Sequence, residues 1–287
     1  IEIGQERVNI NNMEHVMSLI YNNRNYEAQE IYETNAVKAK KISVNPKDIS
    51  GGYLIEREYS QRFQHEYTKI ASAFITDGEE HFVVKNPRYC SVEQIEYIYK
   101  YVNEAEKAIL SPDGKNPENG KCYSEYIDVD SFVKKYLVEE VSKNYDAGVS
   151  SSYFYKDSDY KDGKLCAGPG WDYDMSLGNY VDWMEEFSGD PTGISKLAFH
   201  TYASSWYTKL YSDEEFYRRI ETYYWKFMEP FLQELLTDGI DSYQEILEAS
   251  SYMNEIRWQE ELKKNPYYKN REQTFMDLKK FMNCLPL

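Results

Sequence analysis

The sequence predicts an α+β chain in two lobes, a small β-rich N-terminal lobe followed by a mostly helical C-terminal one. Three observations carry this expectation. Short strand-like runs separated by turn signals occupy the stretch up to Lys85, and one amphipathic helix then closes at Leu110. From about Ile194 onward the apolar residues recur at helical spacing. The division expected is 1–110 for a partial N-lobe and 111–287 for a C-lobe with acidic loops and a helical tail.

The elements follow in order. Asn12 to Tyr32 reads as a helix, with Met13, Val16, Met17 and Ile20 on one face. Gly51-Gly52 opens a strand through Tyr53-Leu54-Ile55-Glu56. Ala71 to Thr76 gives a second, ended by the turn signal Asp77-Gly78, and His81 to Lys85 a third, halted by Asn86-Pro87. Ser91 with Gln94 three residues on has the capping-box pattern. Ile95, Ile98, Tyr99, Val102, Ala105, Ala108 and Ile109 then supply an apolar helical face. Residues 111–120 are turn formers.

A second helix is expected from Asp128 or Asp130 to Asn144, with Phe132, Val133, Tyr136, Leu137, Glu140 and Val141 on one side. Ser152 to Lys156 and Lys164 to Ala167 read as a hairpin. The tail takes its apolar faces from residues such as Trp206, Leu210, Phe216, Ile220, Phe231 and Leu247.

Composition narrows the function classes. With 41% hydrophobic and 16% aromatic residues among 287, a sizeable core is possible, and no run of about twenty apolar residues spans a membrane. Asp and Glu outnumber Lys and Arg by 49 to 33, a net charge of −16. That field repels nucleic acid and anionic lipid, which need a positive surface. The 29 tyrosines each bury a ring while keeping a polar tip, which suits both core and surface. Cys90, Cys122, Cys166 and Cys284 have no metal-ligand spacing, so a structural zinc is not expected, and an exported chain has room for one disulfide. Ile1-Glu2-Ile3-Gly4 carries neither an initiator Met nor a basic leader, so a processed or truncated start is expected.

The chemistry concentrates in Gly168-Pro169-Gly170-Trp171-Asp172-Tyr173-Asp174-Met175-Ser176-Leu177-Gly178-Asn179. A carboxylate just past a strand end, with glycines admitting close backbone approach, can hold Mg²⁺ against phosphate oxygens. The plainer reading of this stretch is a polar turn. Its company decides between them. Asp146 ends the second helix, and the hairpin separates it from Asp172. Helix, acidic loop, hairpin, acidic loop is the order of a protein-kinase large lobe, where the first Asp meets the acceptor hydroxyl and the second grips metal. Lys85, at the end of the third strand and before a helix, stands where a kinase places its phosphate-binding lysine. Glu104 is the expected partner on that helix, with Glu93 and Glu96 as alternatives. Asp172 and Asp174 as a glycosidase pair fit poorly, since neighbours at i and i+2 do not flank a sugar.

The same stretches, together with Tyr126 to Phe132, Tyr153 to Asp157 and Ser250 to Trp258, resemble the spore-coat-protein-H (CotH) kinase family from Ile3 to Trp258. The resemblance implies an atypical two-lobed protein-kinase-like fold using ATP with Mg²⁺ or Mn²⁺ on Ser or Thr of a protein substrate. It implies Asp146 and Asp172 as the catalytic and metal-binding acids, with Asp174 as a further ligand. Which carboxylate is base and which is ligand stays open. Trp171 is a candidate face for adenine, or core packing. The resemblance also implies a secreted bacterial setting, outside the cell or at its surface, where a multiprotein assembly such as a cellulosome is a candidate partner. The rival reading is a catalytically silent CotH-like module associated with polysaccharide. The chain departs from the family in lacking preceding strands, one of which ends in a glutamate, in having Gly170 where a bulkier apolar residue is commoner, and in having no GxGxxG loop.

Overall fold

The computed structural model describes residues 47–67, 72–87, 90–148, 150–177, 204–264, 268 and 270–284. The helix expected over Asn12 to Tyr32 lies outside them. The described strands are β1 (Tyr53–Glu58), β2 (Ala73–Ile75), β3 (His81–Asn86), β4 (Ser152–Lys156) and β5 (Leu165–Ala167). They form one antiparallel sheet in the order β2-β3-β1-β4-β5. The three expected N-terminal strands and the expected hairpin are therefore all present. β4 and β5, from beyond residue 111, complete the sheet that β1 and β3 begin.

The described helices are α1 (Ser60–Tyr67), α2 (Val92–Leu110), α3 (Tyr123–Tyr126), α4 (Val129–Ser142), α5 (Ser205–Tyr211), α6 (Glu214–Tyr223), α7 (Glu229–Glu234), α8 (Ile240–Arg257), α9 (Gln259–Leu262) and α10 (Arg271–Cys284). The α2 capping box forms as its sequence dictates. Ser91 Oγ accepts from the Gln94 amide at 3.1 Å, and Gln94 Oε1 accepts from the Ser91 amide at 3.0 Å. Pro230 opens α7 directly after a wide π-type turn at Tyr224–Met228, which accommodates the missing amide hydrogen.

Alternation along the strands divides the sheet into two faces. One carries Tyr53, Ile55, Phe74, Phe82, Val84 and Phe154, which join the apolar side of α2, α4 and α5 in the main core. Phe154 sits among Phe82, Phe132 and Trp206, with ring centroids 6.1, 5.6 and 5.5 Å away. Behind this core, Glu106 of α2 is buried but fully engaged. It accepts from Thr76 Oγ1 at 2.9 Å, the Gly78 amide at 2.9 Å and Trp206 Nε1 at 3.0 Å. The other face is covered at the β2–β3 edge by α1, whose Phe63 packs on Ala73 and Val83. The rest of it carries the charged Glu56, Glu58 and Lys85 beside Leu54, Tyr155 and Cys166.

A smaller cluster of Leu232, Ile240, Phe281 and Met282 joins the tail helices. No helix among the described residues is long and apolar enough to cross a membrane. Cys90, Cys122 and Cys166 are free thiols.

Candidate active site and metal centre

The charged face of the sheet begins with a break in its register. Leu54 pairs with Asn86 but Ile55 pairs with Val84, so Lys85 is the extra residue of a β-bulge in β3. Bulges re-aim side chains. Here Lys85 Nζ meets Glu56 Oε2 on β1 in an ion pair whose carboxylate is buried. Lys85 thus has a glutamate beside it, but not the one expected. Glu104 lies on α2, behind the opposite face of the sheet, and pairs with Lys100 one turn away at 4.0 Å. Glu93 and Glu96 are exposed on the same helix. The structure brings Glu56 to Lys85, not Glu104. Two residues along, buried Glu58 pairs with Arg62 of α1 at 3.4 Å.

The three aspartates converge. Asp146 lies in a short 3₁₀ turn (Tyr145–Gly148) just past α4, while Asp172 and Asp174 follow β5. Carboxylate oxygens of all three lie within 4.8 Å of one another. Two unit charges at that distance repel by about 1 kcal/mol at the dielectric of water, and by about 3 kcal/mol at the effective value near a protein surface. Burial first, then the carboxylates of Asp172 and Asp174, raise the Asp146 pKa above the ordinary carboxylate range, with Arg62 opposing. Such a cluster is relieved by a cation.

The loops that carry the acids are held in specific conformations. Asp172 has φ of 63° and Ser151 φ of 52°, both in the left-handed region that non-glycine residues seldom adopt. The two meet, Ser151 Oγ donating to Asp172 Oδ2 at 3.0 Å. Arg57 ties the Asp146 turn to β1 by donating to the Gly148 carbonyl at 2.8 Å, and is itself paired with Glu80 at 2.6 Å. Trp171 is largely exposed and stands edge-on to Tyr153, centroids 5.9 Å apart.

Beside the acids lies a cavity of about 950 Å³. Leu54, Tyr155 and Cys166 line it from the sheet, and Pro169, Gly170 and Tyr173 from the acidic loop. Leu54 pairs with Tyr155 and Tyr155 with Cys166, so these side chains form one row across the same face as Lys85. The volume suits a small-molecule ligand. Trp171 is not among the lining residues.

A family model described as CotH kinase protein matches residues 21–283. The chain belongs to the CotH kinase family. No curated protein and no solved structure matched it. Membership agrees with the α+β architecture of this CotH chain, a small antiparallel sheet followed by helices.

Sequence reading singled out Asp146, Asp172 and Asp174, which the structure brings together, and Lys85, which it pairs with Glu56. It missed Glu56, Glu58, Arg62 and Ser151. The signal for the first two was available: in Tyr53-Leu54-Ile55-Glu56-Arg57-Glu58 both glutamates alternate with the apolar Tyr53 and Ile55, which puts them on the opposite face.

Proposed function

We propose that this chain transfers the γ-phosphoryl group of ATP to a serine or threonine hydroxyl of a protein, assisted by Mg²⁺ or Mn²⁺. The observation that carries this reading is the convergence of Asp146, Asp172 and Asp174, each offering one carboxylate oxygen within 4.8 Å of the others. Oxygen ligands suit a hard divalent cation that keeps some positions for phosphate and water. Asp146, Asp172 and Asp174 would hold such a cation, which would supply positive charge against that developing on transfer.

The chain's own groups then have distinct duties. Asp172, fixed by Ser151, and Asp174 hold the ion. Lys85, held by Glu56, is a phosphate cation. The purine fits the cavity beside Leu54 and Tyr155, on the face of the sheet that also carries Lys85. Asp146 orients the acceptor hydroxyl and takes its proton. The hydroxyl oxygen bonds to the γ-phosphorus as the bond to the β–γ bridging oxygen breaks, and ADP leaves. Positioning and electrostatics supply the rate.

The test is thermal unfolding with ATP and Mg²⁺ or Mn²⁺, on wild type and Asp172→Ala. Ligand at 100 times its Kd adds about 2.7 kcal/mol of stability, a readily measured rise in Tm. A metal-dependent rise that disappears in Asp172→Ala is the expected result. No rise with either metal would leave a catalytically silent CotH-like module.

A further inference from the structure

The buried carboxylate of Glu139 takes no part in the scheme above, yet it stands between the two acidic loops. It is completely buried on α4, one turn from Lys135, with which it forms an ion pair. Its Oε1 also accepts from Tyr173 Oη at 2.7 Å, and Tyr173 lies between Asp172 and Asp174. Its Oε2 accepts from Asn144 Nδ2 at 2.9 Å. The same Asn144 uses Oδ1 to accept from the Asp146 amide at 3.3 Å. A continuous chain of hydrogen bonds thus runs from the Asp172–Asp174 loop, through Tyr173, Glu139 and Asn144, to the backbone of Asp146.

We propose that Glu139 is a positioning residue that sets the spacing of the Asp146 loop against the Asp172–Asp174 loop, and so the geometry of the metal centre. The proposal rests on the phosphoryl-transfer reading above. Three features support a positioning role over simple core filling. Both carboxylate oxygens are used, and each reaches a different loop. Lys135 keeps the buried site neutral, with its amine also 5.7 Å from the centre of the Tyr173 ring. The main chain repeats the link, since the Leu177 amide donates to the Ser142 carbonyl at 2.7 Å and the Asn144 amide to the Glu139 carbonyl at 3.2 Å. Hydrogen bonds beyond the ligands commonly fix ligand orientation, and their loss costs about 10- to 100-fold in metal affinity.

The test uses Tyr173→Phe and Glu139→Gln. Tyr173→Phe deletes one hydroxyl and leaves the Lys135–Glu139 pair intact, so it keeps the measurement available where Glu139→Gln fails to fold. Amide hydrogen exchange is followed on the metal-free protein, and Mn²⁺ binding is measured with the metal alone. The amides of Ala147 and Ser150 donate to Asn144 and Asp146 carbonyls, on the far side of Glu139 from Tyr173. Their exchange is expected to rise about tenfold or more in Tyr173→Phe. Mn²⁺ affinity is expected to fall about tenfold, while exchange across α2 stays as in wild type. Unchanged exchange at Ala147 and Ser150 overturns the proposal, whether or not Mn²⁺ binds. In a wild type that binds Mn²⁺, faster exchange without loss of affinity overturns it too, because Glu139 would then be structural only. A wild type that takes up no Mn²⁺ sinks the metal centre itself and leaves the exchange result to judge Glu139.

Discussion

The two faces of the sheet use the same five strands for opposite purposes. On one face Tyr53, Ile55, Phe82, Val84 and Phe154 are almost wholly excluded from water and hold α2, α4 and α5 in place. On the other, Glu56 and Glu58 are buried carboxylates paired with Lys85 and Arg62, and Arg62 acts in turn on Asp146. Because side chains alternate with a period of two, each strand contributes to both without compromise. Stability and chemistry are separable here residue by residue, and substitutions on adjacent positions should have different signatures.

The largest effect is expected on the apolar face. Phe154→Ala removes a ring surrounded by Phe82, Phe132 and Trp206, and should cost about 3–5 kcal/mol in urea unfolding. A loss below about 1 kcal/mol would mean that the face is not the core described.

A middle-sized effect separates charge from packing on the other face. Lys85→Met leaves buried Glu56 without its cation and should cost about 1–3 kcal/mol. Adding Glu56→Gln should recover most of that stability, yet the double variant should show no rise in Tm with ATP and metal. Recovery of the nucleotide response along with stability would remove Lys85 from the phosphate site.

The smallest effect runs in the stabilising direction. Asp146 has a folded-state pKa above its unfolded one, so the stability it contributes is fully present below the ordinary carboxylate range and is lost as pH rises through the folded value. Asp146→Asn should therefore stabilise the metal-free protein at pH 7 by about 1 kcal/mol, discounted for partial exposure. The gain should vanish near pH 3. An equal gain at both pH values would exclude charge repulsion as its source.

Much of the fold was legible in the sequence because local signals sufficed. The capping box at Ser91, the alternation in β1 and β3 and the hairpin around residues 157–164 each declare themselves within a few residues. The acidic triad was legible for a similar reason: Asp172 and Asp174 share one glycine-flanked segment, and Asp146 ends a helix. What escaped depends on contacts between distant segments. Glu56 becomes the partner of Lys85 only through strand register and a bulge that no local pattern specifies. Helix phase misled the reading of α4, where Glu140 was placed on the apolar side but Glu139 is the residue completely buried. α1 escaped because Ser60–Tyr67 is polar apart from its packed Phe63.

The pairing of β1 with β4 has a mechanical consequence. Five residue pairs, from Tyr53–Lys156 to Arg57–Ser152, join the central strand of the sheet to the strand that follows the Asp146 turn. A cleft whose walls belonged to separate bodies could gape by pivoting about a flexible joint. In this chain such a pivot would have to unzip a ladder at the middle of the sheet. Any opening of the site must therefore come from local movement of the segments around the acids, with the strands serving as a stationary anvil.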